Sequence, residues 1–194
     1  KFGVPYLLIN NAGIGDRGYW ENLSLDLELD MMAVNYLAPV TLTRLFLPKM
    51  LRSDGGGHII NINSIAGLYT SPFTGAYCAS KSALLAYFTS LAHELEKTNI
   101  KISSIFTGSV DTDFMHQSGF VRFKDRSGIL KPDDVAQKVL QAVEEPRERI
   151  FVGSWINFML IKLVNWQPLL FRRLIESRNP PPLPTERQSV MAGE

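Results

Sequence analysis

His58-Ile59-Ile60-Asn61-Ile62-Asn63-Ser64 and, one loop later, Gly75-Ala76-Tyr77-Cys78-Ala79-Ser80-Lys81 hold the reading of this chain. The first run is short, rich in isoleucine and preceded by three glycines, which predicts a buried strand over 58–63. The second opens a longer stretch with helical spacing, predicted over about 75–96. Three more runs have the composition of the first: residues 6–10, 101–106 and 149–152, each bounded by Gly, Pro, Asn or Ser. Helical patterns separate them. Leu27, Met31, Val34, Leu42, Leu45 and Phe46 form one predicted apolar face, with Ser24 as N-cap and Asp26, Glu28 and Asp30 near the positive end of the helix dipole. Pro132 followed by Asp133 and Asp134 opens another helix, predicted over 132–143. Strand and helix alternating in this way predict an α/β fold, a doubly wound parallel sheet covered on both faces. Ligands in such sheets sit outside the carboxyl ends of the strands. The positions to inspect are Asn10 to Gly13, Asn63-Ser64, and Thr107 to Thr112.

Tyr77 and Lys81 are at i and i+4, on one helix face. A free phenol, with a pKa of about 10, is a poor acid or base near neutrality. An ammonium fixed beside it favours the phenolate and is expected to bring the pKa toward the working range. That chemistry can pass a proton to or from a carbonyl or alcohol oxygen while hydride moves at carbon. Ser64, at a strand end, can hold the same oxygen in place. Taken alone, the tyrosine–lysine pair reads equally as a solvated helix face, and a lone serine more often caps a turn.

The linked motifs Asn10-Asn11-Ala12-Gly13, Ile62-Asn63-Ser64, Tyr77-x-x-x-Lys81 and Gly108-Ser109-Val110-Asp111-Thr112 resemble the short-chain dehydrogenase/reductase family in order and spacing, over about residues 6–153. The resemblance implies a Rossmann-like sheet and an oxidoreductase that interconverts an alcohol and a ketone or aldehyde with NADP or NAD, NADP being the one leaned toward. It implies that Tyr77 is the general acid/base, that Ser64 orients the substrate, and that Lys81 binds the nicotinamide ribose and lowers the tyrosine pKa. Asn10, Ala12 and Gly13 would steady the sheet beside the cofactor, and Val110 and Thr112 would hold its nicotinamide end. One departure stands out: the family usually has proline before the glycine of the last motif, and this chain has Thr107.

Asn35 matches the family's catalytic asparagine. Asparagine is a poor mid-helix residue, and Pro39 four residues later has no N–H to give the Asn35 carbonyl. That carbonyl is expected to be free for a water which, by resemblance, links Lys81 to solvent.

The family's glycine-rich phosphate turn is missing. Gly55-Gly56-Gly57 precedes a strand instead of following one, and Gly13-Ile14-Gly15 opens no regular helix. The sheet is therefore expected to be incomplete, with its first strand–helix units, on the order of 80 residues, lying upstream. Residues 1–178 read as the C-terminal part of a Rossmann-type domain. Residues 179–194, rich in proline, read as a disordered tail. On this reading the chain by itself lacks the pyrophosphate site and is inactive. The alternative is a non-catalytic binding or dimerisation module that keeps the fold.

Composition narrows the partners. A net charge of +1 over 194 residues gives no field to collect nucleic acid. The single cysteine, Cys78, suits a reducing, cytoplasmic setting, and the three scattered histidines, His58, His93 and His116, predict no metal site. Residues 114–130, aromatic and charged in turn, read as a mobile substrate flap, and the apolar stretch 155–166 is too short to span a bilayer. Both fit an apolar alcohol or carbonyl substrate, or ordinary core. Arg172, Arg173 and Arg178 allow at most weak peripheral membrane contact. Small residues at Ala79, Ser80, Ser82, Ala83 and Ala86 permit close helix approach. By resemblance, this helix and the one bearing Asn35 form the face of a homodimer or homotetramer.

Overall fold

The computed structural model describes residues 3–117 and 129–153, with residues 159, 161–163, 166, 167, 173, 176 and 181 beyond them. Four strands, β1 (Leu7–Asn10), β2 (Gly57–Ser64), β3 (Ile100–Thr107) and β4 (Arg149–Val152), lie in the order β1-β2-β3-β4, and every pair is parallel. Consecutive parallel neighbours need a crossover, and helices supply it. Leu25–Met32 (α1) and Ala38–Leu51 (α2) join β1 to β2; Gly75–Glu94 (α3) joins β2 to β3; Asp113–Gln117 (α4) and Pro132–Glu144 (α5) lie between β3 and β4.

The sheet is covered on both faces, as the near-continuous apolar strands require. On one side Ile59 and Ile102 pack with Met50 of α2 and Leu84 and Phe88 of α3. On the other, Ile60, Ile105 and Val152 meet Ala142, with Val135 and Val139 of α5 against them. The polar residues inside β2 have strand partners: Asn10 Nδ2 donates to Asn61 Oδ1 at 2.8 Å, and His58 Nε2 lies 2.9 Å from Ser103 Oγ. Among the described residues β1 is an edge strand, and its Ile9 is 42% exposed.

The predicted helix starts hold. Leu27 N–H donates to Ser24 Oγ, and Lys131 N–H donates to Asp134 Oδ2 beside Pro132. The predicted face of the first helical stretch needs correction. Met31 is fully buried, but Leu42 and Leu45 point to solvent. Between α1 and α2 the chain makes a π-helical turn, Ala33–Leu37, in which Ala38 N–H reaches Ala33 O. One extra residue in a turn rotates everything after it by about 100°, so spacing counted across the turn puts Leu42 and Leu45 on the wrong side.

The predicted flap is structured at both ends. Its first residues form α4, and Leu130 pairs with Val110, Leu130 N–H donating to Ser109 O and Asp111 N–H to Leu130 O. Its middle, 118–128, lies outside the described residues, as do most of 155–166 and all of the tail but Pro181. No helix among the described residues is long and apolar enough to cross a membrane.

Candidate active site

The carboxyl ends of β1, β2 and β3 open into a cavity of about 960 Å³ whose wall includes Gly13, Ser64, Tyr77, Lys81, Val110 and Thr112. Ser64 ends β2, and its Oγ accepts from Ala66 N–H at 3.1 Å. Tyr77 stands in the first turn of α3, near enough for the Ser64 hydroxyl to favour its phenolate. The serine and the tyrosine thus line the same cavity, although they come from different elements. Phe114 of α4 leans on the Tyr77 ring, centroids 5.9 Å apart.

Lys81 runs beneath the tyrosine, its Nζ 6.0 Å from the Tyr77 ring centroid and donating to Ile62 O at 3.2 Å. The expected pKa effect is not what this geometry gives. Burial pushes the Tyr77 phenol up to about 12; the Ser64 hydrogen bond pulls the other way, and the Cys78 thiol adds to the rise. Burial also pulls Lys81 down to about 8. At this separation, stripping water from both groups outweighs their mutual attraction.

Asn35 is buried in the π turn and acts as a clamp. Its Nδ2 donates to Ile14 O (2.8 Å) and Ser80 Oγ (2.9 Å), and its Oδ1 accepts from Ile14 N–H (2.9 Å). Ser80 Oγ in turn donates to Tyr77 O at 2.8 Å. The amide therefore fixes the strand-end loop against α3. A β-carbon at Gly13 would lie 3.3 Å from Asn35 Oδ1 and 3.4 Å from Lys81 Nζ, so glycine lets that loop approach closely. Asn10 sits apart from these groups, tying β1 to β2 through Asn61.

At Thr107, where the family's proline would stiffen the turn, the hydroxyl donates to Asn63 O at 3.3 Å. The neighbouring turn is held by Thr112 Oγ1 on Val110 O and by the Val110–Leu130 pair.

Sequence reasoning passed over Arg17 and Phe73, and took Asn63 only as part of a strand end with no role of its own. Arg17 is buried on the cavity wall, its guanidinium carbon 5.4 Å from the Phe73 ring centroid. Phe73 has φ 68°, a left-handed conformation that costs about 1–3 kcal/mol for a residue with a β-carbon. It is held there by Gly18 N–H on its carbonyl and by the edge of Tyr19. No local pattern marks these two residues. Asn63 did carry a signal: asparagine is depleted in strands, yet it stands inside one, fully buried.

Comparison with known proteins accords with this geometry. The family described as short chain dehydrogenase matches residues 2–119. A mouse protein, dehydrogenase/reductase SDR family member 7B, is 35% identical over 185 residues, covering 91% of this chain and 57% of its own length. A Drosophila melanogaster relative, dehydrogenase/reductase SDR family protein 7-like, is 34% identical over 156 residues, covering 76% of this chain and 47% of its own. Among solved structures, a short chain dehydrogenase/reductase from Burkholderia phymatum in complex with NAD superposes with a TM-score of 0.76 at 28% identity, over 94% of this chain and 71% of that one. An alcohol dehydrogenase from Thermococcus sibiricus complexed with 5-hydroxy-NADP gives 0.68 at 26% identity, over 79% and 64%. The chain belongs to the short-chain dehydrogenase/reductase family, and its sheet is Rossmann-like. It spans a little over half the length of the mouse relative.

Proposed function

We propose that the complete protein is an NAD(P)-dependent oxidoreductase that interconverts an alcohol and a ketone or aldehyde, with Tyr77 as its acid/base. The observation that carries this reading is that Ser64 and Tyr77, from different elements, line one cavity at the mouth of the sheet, with Lys81 buried on the same wall. A carbonyl oxygen entering the cavity would meet both hydroxyls. Ser64 Oγ already takes a backbone N–H, which leaves its proton to offer to that oxygen. Tyr77 gives its proton as the carbonyl becomes an alcohol. In the reverse direction the phenolate takes the proton released as the alcohol becomes a carbonyl.

The nicotinamide cofactor would supply or take the hydride. The residues present fit its nicotinamide end: Gly13 brings backbone close, Lys81 stands beneath, and Val110 and Thr112 face the same space. NAD or NADP bound to similar structures supports the assignment. Residues fitted to a pyrophosphate are a different matter. Among the described residues, the turns after β1, β2 and β3 lead into short helices of three to five residues, Trp20–Asn22, Ile65–Gly67 and Asp113–Gln117. None opens directly onto a long helix of the kind that grips phosphate. The Asn35 side chain is committed to its clamp, so any part in the proton path falls to its main-chain carbonyl, which belongs to the π turn and precedes by four residues a proline with no N–H to give.

An apolar substrate is favoured by Val110, Phe114, Met115, Val135 and Leu140 on the cavity wall. The second reading is a non-catalytic binding or dimerisation module that keeps the fold. Leu37, Leu42 and Leu45, exposed along the α2 side, support a homodimer or homotetramer there, which sedimentation would test. Buried Cys78 fits a reducing, cytoplasmic setting.

The test is Tyr77→Phe in a form of the protein that binds NADPH or NADH. Turnover of a carbonyl probe such as 4-nitrobenzaldehyde is expected to fall by roughly 10²–10⁴-fold, with cofactor affinity unchanged by fluorescence titration. Unaltered turnover would remove Tyr77 from the chemistry.

A further inference from the structure

We infer that Asn63 is a positioning residue that sets Ser64 against α3. The inference rests on the reading of Ser64 and Tyr77 given above. Asn63 is the penultimate residue of β2 and is buried, and each of its polar groups except its own N–H has a partner outside the strand ladder or at its edge. Its Oδ1 accepts from Ser64 N–H at 2.7 Å. Its Nδ2 donates to Lys81 O at 3.3 Å, and its carbonyl accepts from the Thr107 hydroxyl at 3.3 Å.

These bonds reach the three elements that build the site. One holds the backbone of the residue whose hydroxyl meets Tyr77. Another reads the α3 backbone at the residue that carries the ammonium. The last joins the end of β3, where the Val110–Thr112 turn begins. Neighbouring contacts reinforce the same junction. Ser82 Oγ donates to Gly67 O at 3.2 Å, and a β-carbon at Gly67 would lie 2.8 Å from Lys81 O and 2.9 Å from Asn63 Oδ1. The strand end is thus pressed directly onto the helix backbone, and a side chain with one acceptor and two donors is what can join them. Serine would be too short to span both, and aspartate would keep the acceptor while losing the donor.

The Asn63 side chain bonds the backbone of Ser64 and of Lys81, so on this reading it acts by placing Ser64 against α3. Residues acting through one another give non-additive losses. The experiment uses the cofactor-binding protein with 4-nitrobenzaldehyde and follows Asn63→Ala, Asn63→Asp, Ser64→Ala and the double variant Asn63→Ala/Ser64→Ala. Amide hydrogen exchange at Ser64 is measured in each. Asn63→Ala is expected to lower kcat by about ten- to a hundredfold with cofactor KM unchanged, and to speed exchange at Ser64. Asn63→Asp should keep Ser64 protected and recover part of kcat. The double variant should be no slower than Ser64→Ala.

Losses that multiply, or Asn63→Ala with normal kcat, would overturn the inference. If Asn63→Ala fails to fold, Asn63→Asp carries the decision: its kcat must lie above that of Ser64→Ala, and a lower value overturns the idea. Full turnover by Ser64→Ala would instead sink the proposed function, whereas exchange at Ser64 reports on the Asn63 contact in either case.

Discussion

Tyr77 and Lys81 are both kept from their ordinary charged forms by burial, and the two effects have opposite signs in pH. Between about 8 and the ordinary lysine value of 10.5, folded Lys81 has lost a proton that the unfolded chain still holds. Unfolding then binds protons, so this residue makes stability rise with pH across that window. Between the ordinary tyrosine value of 10.0 and about 12, folded Tyr77 keeps a proton that the unfolded chain has released, and its contribution falls with pH. Urea unfolding at a series of pH values should show Lys81→Met losing the rise above pH 8 and Tyr77→Phe losing the decline above pH 10. Parallel wild-type and Lys81→Met curves over pH 8–10.5 would contradict the first assignment. The tyrosine, lysine and serine were legible through the linked motifs in register, since helix spacing and a strand end taken alone left them ambiguous. The direction of the tyrosine shift was not, since it depends on how much water Phe114 and the sheet leave around the ring.

At the scale of elements, the chemistry depends on how closely α3 approaches the end of β2. Gly67 is the point of nearest passage, and its replacement by alanine would drive a methyl into the Lys81 carbonyl. Gly67→Ala should therefore destabilise the fold by roughly 1–3 kcal/mol, read as a shift in the urea midpoint with unchanged slope. A neutral result would mean that the turn Ile65–Gly67 gives way easily. The strands and the starts of α1 and α5 could be read from composition and caps alone. The helical crossing between α1 and α2 could not be read through. Pro39 marks a place where a helix bond must be missing, but no periodicity in the sequence says that the turn before it widens to hold an extra residue. That single insertion explains why Asn35 faces the Ile14 peptide while Leu42 and Leu45 face solvent.

For the molecule as a whole, the two ends of a dinucleotide make unequal demands on this chain. On the proposed function the nicotinamide end would meet Gly13, Lys81 and Thr112, which line one cavity, whereas a pyrophosphate would meet no long helix opening at a strand end among the described residues. The 194-residue chain is accordingly expected to show no saturable rise in Tm with NADPH. A rise that saturates with NADPH would refute this division. The parallel sheet itself was foreseeable from the alternation of strand and helix, because parallel neighbours need covered faces and long crossovers. Its exposed boundary was visible only in three dimensions. Among the described residues β1 pairs with β2 alone, and Tyr6 and Ile9 stand half in solvent, so its outer side is an edge to which an extended segment could add. Handled alone at high concentration, the chain should clump by adding strands side by side along that rim. A lysine in place of Ile9 would be the simplest way to keep it dispersed.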